Sequence, residues 1–257
     1  VLFYAGWLFI LRRYIELIEI NTEYMRFALS LAVKGAGYVS PNPMVGAIIV
    51  KNGRIIGQGY HECYGQLHAE RNALKNCTES PEGADMYVTL EPCCHYGKNP
   101  PCTEAVIEAG IKRVFVGSAD PNPLVAGKGI KQLRDNGIEV FENILRDECD
   151  AINEIFFHYI TTKTPFVMMK YAMTIDGKIA CYTGESKWIT GDKARHNTHI
   201  DRHKFKGIMV GVGTVIADNP SLTCRIENGI NPVRIICDSN LRIPVESNIV
   251  STADEIP

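Results

Sequence analysis

The stretch DMYVTLEPCCHYGKNPPCTEAVIEAGIKRVFVGSA, residues 85–119, decides how the chain folds. DMYVTL is a run of strand length, rich in apolar and β-prone residues. CTEAVIEAG has helical spacing and ends on Gly110, the residue type that closes helices in the left-handed conformation. RVFVGSA is a second strand-like run. Strand, helix, strand in that order implies a right-handed crossover and a sheet with a parallel part. Between the first strand and the helix lies EPCCHYGKNPPC (91–102), with three cysteines and one histidine in twelve residues.

Upstream, a helix starts at Asn21 or Thr22, with Met25, Ala28, Leu29, Ala32 and Val33 on one face and Gly35 as its stop. VGAIIV and RIIGQGYH flank Asn52-Gly53, a strong hairpin signal. HAERNALKN reads as a helix opening near His68. Downstream, GKGIKQLRDNG is a helix, IEVF a strand, and residues 143–163 one further helix. Thr164-Pro165 marks a boundary. A second α/β pattern then begins with PFVMMKYAM, turns at Asp176-Gly177 and reaches strands GIMVGVGTV and VRIICDS before Pro257.

With 257 residues, 46% of them hydrophobic, the chain can bury a substantial core. A net charge of −2 gives no basic surface for nucleic acid and no solvating tail. The nine cysteines are odd in number and lack framework spacing, which points to reduced thiols and one metal site. Cys94 is expected to pack, and Cys63, Cys77, Cys149, Cys181, Cys224 and Cys237 to be small buried groups. VLFYAGWLFIL at the N-terminus is uncharged for eleven residues, then meets Arg12-Arg13. It is shorter than the roughly 20 residues a membrane span takes. It also has the wrong charge order for a signal peptide. Residues 1–20 are therefore read as an extension without an assigned role.

His68-Ala69-Glu70 opens a helix, and Pro92-Cys93 with Cys102 lies downstream. One histidine and two cysteines make three ligands for Zn²⁺ and leave the fourth position to water, the catalytic arrangement. Glu70 then has a task as a proton shuttle rather than a ligand. This matches the zinc-deaminase pattern H-x-E…P-C-x-x-C, except that eight residues, not two, separate the cysteines. Two plainer interpretations stand beside it: ordinary buried thiols, and a structural zinc closed by Cys94 or His95.

HAE, TLEPC and the spacer CHYGKNPP before Cys102, with PNPMVGAIIV upstream and DPNPLVAGKGI downstream, resemble the riboflavin-biosynthesis deaminase/reductase family. The likeness runs from about Asn21 to the last residue. It implies a cytidine-deaminase-like three-layer zinc domain over 21–164. An α/β domain resembling dihydrofolate reductase follows over 165–257. Zn²⁺ would sit on His68, Cys93 and Cys102, with Glu70 as proton shuttle. Asn42 would hydrogen-bond the pyrimidine, and His95 and Lys98 would face the ribose phosphate. The implied reaction removes the 2-amino group of a diaminopyrimidinone ribosylamine 5′-phosphate.

The resemblance extends to KYAMTIDGKIA, GESKWIT, GVGTVIADNPSLTCR and ICDS. By it, Lys170, Ser186, Arg202, Leu222 and Arg225 would meet the substrate, and NADPH would meet Ala172, Trp188, Thr214, Asp218 and Ser239, reducing the ribosyl to a ribityl chain. No dinucleotide fingerprint supports this independently, because Ile216 stands where Gly211-Val212-Gly213 would need a third glycine. The basic run Lys193–Lys206 is expected to be a solvated helix face from which Arg202 alone acts as a ligand. A complete reductase of this kind continues past Pro257, so the chain is expected to deaminate but reduce poorly. The resemblance further implies a cytoplasmic homo-oligomer acting on a small phosphorylated pyrimidine. Two rivals remain: a zinc deaminase of nucleosides or nucleic-acid bases, and a zinc-stabilised module without catalysis.

Overall fold

Asn21 opens the first helix because its side-chain oxygen accepts the Glu23 N–H at 3.0 Å, satisfying a donor that the helix cannot. Helix α1 (Thr22–Ala32) buries Met25, Ala28, Leu29, Leu31 and Ala32 and passes into a short 3₁₀ turn, Val33–Gly35. The computed structural model describes residues 20–257, so the extension assigned to residues 1–20 falls almost wholly outside the described part.

Strands β1 (Gly46–Lys51) and β2 (Arg54–Tyr60) form the expected hairpin. Asn52 and Gly53 both take positive φ, 52° and 74°, as the tight turn requires. Helix α2 (Ala69–Lys75) leads to β3 (Asp85–Leu90), and helix α3 (Cys102–Glu108) crosses to β4 (Arg113–Ser118). Helix α4 (Lys128–Asp135) then leads to β5 (Glu139–Phe141). The sheet order is β2-β1-β3-β4-β5, with β1 antiparallel to both neighbours and β3, β4 and β5 mutually parallel.

The apolar run of β1 is explained by burial on both faces. Ala47 and Ile49 point to one side, with Met86, Val88, Val114 and Val116, against Ala73 of α2, Val106 of α3 and Leu133 of α4. Ile48 and Val50 point to the other, with Tyr87 and Phe115, against Met25 and Ala28 of α1 and Cys149. The result is a three-layer α/β/α unit. Residues 143–163 differ from expectation: they form two helices, α5 (Arg146–Ile152) and α6 (Glu154–Thr162), parted at Asn153. Asn153 is buried, accepts the Met44 N–H at 2.8 Å and donates to the Met44 carbonyl at 2.9 Å.

The chain divides into two compact units, one of residues 20–34, 44–61 and 65–157, the other of Gly35–Pro43, Glu62–Tyr64 and His158–Pro257. The second unit holds α7 (Asp192–Lys204), β6 (Gly207–Gly211), α8 (Val212–Asp218), β7 (Val233–Cys237) and α9 (Asn248–Ser251). β6 and β7 pair in parallel from Gly207↔Val233 to Gly211↔Cys237. PFVMMKYAM, where the second pattern begins, forms no strand: Val167 and Met169 are each 83% exposed and nothing in this unit pairs with them. One expectation is corrected here. GIMVGVGTV is a strand only to Gly211, where the backbone turns into α8. As expected, α7 buries no residue.

Candidate metal centre and active site

His68 is the N-cap of α2 with an extended backbone, and its imidazole makes no capping bond to that helix. The turn before it is pinned by Asn72, which donates to the Tyr60 carbonyl at 2.8 Å and to the Leu67 carbonyl at 3.4 Å. The Leu67 carbonyl also accepts from His61 Nδ1 at 3.0 Å. His68 Nδ1 thereby lies 3.5 Å from Cys93 Sγ and 3.4 Å from Cys102 Sγ. Cys93 stands in the exit from β3, and Cys102 is the first residue of α3, where a thiolate meets the positive end of a helix.

Zinc–sulfur bonds near 2.3 Å and zinc–nitrogen bonds near 2.0 Å, set tetrahedrally, separate ligand atoms by about 3.5–3.8 Å. The three donor atoms lie within 4.8 Å of one another, and both histidine–sulfur distances fall at that separation. Among the described residues this is the only such group of three. The donor set therefore fits a zinc ion. Hydrogen bonding from Cys102 is the largest cause holding the Cys93 thiol down near 4, while the same contact and burial push Cys102 well above its ordinary value. His68 is raised, chiefly by its hydrogen bond to Cys93.

Glu70, in the first turn of α2, is only 3% exposed. Burial pushes its carboxyl up, with the Cys93 charge adding to the shift, and its side chain is hydrogen-bonded to Cys102. A carboxyl group that takes up a proton readily, beside three metal donors, is equipped to carry that proton between a nucleophile and a leaving group.

The spacer between the cysteines is tied down along its length. Cys94 Sγ donates to the Leu124 carbonyl at 3.7 Å, and the Tyr96 hydroxyl donates to Glu104. Asn99 donates to the Gln66 carbonyl at 2.8 Å. Arg71, next to Glu70, donates to the Pro101 carbonyl at 2.7 Å and to the Pro100 carbonyl at 3.3 Å. His95 is half-buried, and its Nδ1 is buried without a hydrogen-bond partner. Lys98 is exposed on the same loop. Asn42 falls in the segment Gly35–Pro43, which clusters with the second unit. Of the other cysteines, Cys149 is buried as expected, whereas Cys63, Cys77 and Cys224 are half-buried and Cys181 and Cys237 are exposed. The last two lie in a turn and at the end of a strand whose faces are only half covered.

Asp120 was not singled out from the sequence, although it sits in the quoted DPNP turn. It is 8% exposed, accepts the Asn122 N–H at 2.8 Å, and is pushed up to about 6 by burial, with the Glu91 charge adding to the shift. His95 acts on it in the opposite direction. A carboxyl raised in the folded state costs stability above its folded value and nothing below its unfolded one. That cost grows as pH rises from about 4 to 6. Asp120→Asn is expected to gain stability relative to the parent across that window and to hold the gain above it. Paired denaturant titrations at pH 4 and pH 7 check this, and a pH-independent difference would refute it.

In the second unit, Arg202 donates to the Thr223 carbonyl at 2.8 Å, and its Nε is buried without a partner. Burial lowers both Arg202 and His199, and each is lowered further by the nearby Arg225. The two guanidinium groups and the imidazole are thus close enough to disfavour one another's charged forms. Leu222 takes φ +55° and is buried with Val215 and Ile249, so its side chain serves the core. Thr214 and Asp218 are exposed on α8, and Ser239 follows β7. Lys170, Ala172, Ser186 and Trp188 lie in the irregular segment 165–191, where the Arg195 guanidinium stacks 4.3 Å from the Trp188 ring.

The first unit has the architecture and donor set of a zinc-dependent deaminase, and residues 18–118 match the cytidine and deoxycytidylate deaminase zinc-binding region. Residues 165–256 match the RibD C-terminal domain, giving a deaminase-like domain followed by a reductase-like α/β domain. The chain is 60% identical to riboflavin biosynthesis protein RibD of Actinobacillus pleuropneumoniae, over 91% of this chain and 62% of that protein. It is 50% identical to RibD of Aquifex aeolicus, over 92% and 67% respectively. It superposes with TM-score 0.82 on the crystal structure of a diaminohydroxyphosphoribosylaminopyrimidine deaminase/5-amino-6-(5-phosphoribosylamino)uracil reductase from Thermotoga maritima. That likeness is at 50% identity and covers 85% of this chain and 63% of that one. The chain belongs to the RibD family of riboflavin biosynthesis proteins, and it spans roughly two thirds of the length of these relatives. Among the described residues no helix is long and apolar enough to cross a membrane.

Proposed function

We propose that this chain hydrolytically deaminates 2,5-diamino-6-(5-phosphoribosylamino)pyrimidin-4(3H)-one to the corresponding uracil, the deaminase step of riboflavin biosynthesis. The observation that carries the proposal is the convergence of His68, Cys93 and Cys102 beside the buried carboxyl of Glu70. Zinc bound there supplies Lewis acidity that makes a water nucleophilic near neutral pH. Glu70 accepts the proton of the attacking water on its carboxylate and delivers it to the amino nitrogen, which departs as ammonia. His95 and Lys98 on the spacer hold the ribose phosphate, and Asn42 the pyrimidine.

The domain of residues 165–257 binds NADPH through Ala172, Trp188, Thr214, Asp218 and Ser239 and reduces the ribosyl chain. In support, Thr214 and Ser239 follow the carboxyl ends of adjacent parallel strands, where open α/β sheets take their ligands. Lys170, Ser186, Arg202, Arg225 and the backbone of Leu222 meet the substrate, and the guanidinium groups of Arg202 and Arg225 suit its phosphate. The exposed apolar side chains of this unit, including Val167, Met169 and Leu241, support association of copies into a homo-oligomer. The small-molecule chemistry fits a cytoplasmic enzyme.

The test pairs zinc analysis with ammonia release from the phosphorylated diaminopyrimidinone and from cytidine. One zinc per chain, with ammonia from the former alone, is the expected result. Turnover of cytidine at a comparable rate, or zinc without ammonia, would overturn the assignment.

A further inference from the structure

Glu91 is a buried carboxyl that the deaminase mechanism leaves without a task. It is 3% exposed, stands two residues before Cys93, and faces no cationic side chain in its hydrogen bonding. Its two oxygens instead accept four backbone N–H groups. Oε2 takes those of Asp120 at 3.3 Å and Gly127 at 2.9 Å. Oε1 takes those of Gly129 at 3.0 Å and Ile130 at 3.3 Å. The last two belong to the first turn of α4, whose leading N–H groups have no partner within the helix.

One side chain therefore fastens three pieces of backbone to the exit of β3: the turn after β4 at Asp120, the loop at Gly127, and the start of α4. The fastening is close. A Cβ on Gly129 would come within 2.1 Å of the Pro92 carbonyl oxygen and 3.2 Å of Glu91 Oε1. Pro92 is the residue immediately before Cys93, so the contact that excludes a side chain at position 129 also fixes where the chain turns toward the metal. On the other side, the Glu91 backbone N–H donates to the Ser118 carbonyl at 2.9 Å and extends the β3–β4 pairing by one bond.

We propose that Glu91 is a positioning residue of the metal centre: by clamping the Asp120 loop and the start of α4 onto the β3 exit, it sets the place of the Cys93 sulfur relative to His68 and Cys102. This rests on the zinc reading above and deepens it. Partners that orient metal ligands set affinity about 10–100-fold without touching the ion. Glu91 acts one step further out, through the backbone that carries the ligand.

The decisive substitution is Glu91→Gln, which keeps shape and volume but turns one acceptor oxygen into an NH₂ facing two N–H donors. The zinc-loaded protein is mixed with excess chromogenic chelator to time metal release, and the Co²⁺-substituted protein gives visible bands that report ligand geometry. Met25→Ala, in the core on the opposite face of the sheet, is the control for lost stability. Glu91→Gln is expected to hold one zinc at saturation, release it about 10–100-fold faster than the parent, and show altered cobalt bands. Met25→Ala is expected to lower the denaturation midpoint while leaving release and bands unchanged.

Parent-like release and bands in Glu91→Gln overturn the proposal, and so does equal acceleration in Met25→Ala. Should Glu91→Gln give only insoluble protein, Gly129→Ala, which presses the same turn from its other side, takes its place under the same two criteria. Zinc in the parent with no effect at Glu91 overturns this inference alone. A parent that holds no zinc overturns the zinc reading with it.

Discussion

Glu70→Gln is expected to cut ammonia release about 10²–10⁴-fold while the protein keeps its zinc, the range that a positioned proton carrier contributes. The argument is one of placement. Glu70 is two residues after the His68 ligand, in the same first helical turn, and its carboxyl is hydrogen-bonded to Cys102. Its environment favours the protonated acid more than water does, because the group is buried and Cys93 is negative. A base with that bias gives its proton up less readily to bulk water and holds it for the departing amine. Glutamine preserves the volume and the hydrogen bond that a carbonyl oxygen can accept, so the fold and the metal donors are left as they were. Metal analysis and an ammonia assay on both proteins decide the matter. Zinc lost from Glu70→Gln would make Glu70 a ligand or a support of the ligands, and undiminished ammonia release would remove it from the reaction.

Much of this site is legible without coordinates, and the reason is local. His68, Glu70, Cys93 and Cys102 each stand at an element terminus that composition and turn residues mark in the sequence: a helix start, a strand exit, a second helix start. The hairpin at Asn52-Gly53 is legible for the same reason, since two successive positive φ values select those residue types. What sequence patterns miss depends on partners far along the chain. The break at Asn153 answers to the backbone of Met44, 109 positions away, and nothing in the helical spacing of 143–163 signals it. Glu91 stands within the quoted TLEPC motif, yet its four backbone donors lie 29 to 39 positions downstream. PFVMMKYAM has the apolar, β-prone composition of a strand, but a strand exists only where another offers it a ladder, and this segment has none in its unit.

Cys102→Ser is expected to weaken zinc binding more than about 100-fold, because even partners outside the ligand set cost 10–100-fold when lost. Sulfur is the softer donor and the one that zinc prefers in such a site; a serine hydroxyl is neutral at ordinary pH and binds the ion poorly. Cys102 Sγ is buried, 3.4 Å from His68 Nδ1, so no water-exposed group stands ready to replace it. Cys94→Ser makes the opposite case in the same loop. Cys94 follows Cys93 directly, yet it is not among the converging donor residues. Its sulfur is spent on the Leu124 carbonyl at 3.7 Å, a contact that a serine hydroxyl can replace. Zinc titration of the two variants beside the parent therefore separates the ligand sets. Loss at Cys102 with parent-like binding at Cys94, and at His95→Ala titrated beside them, establishes a histidine and two cysteines, with the fourth position open to a water that Glu70 can serve. Comparable loss at both would instead mean a closed set of four, the mark of structural zinc. In that event the deamination chemistry would have no coordination position from which to proceed.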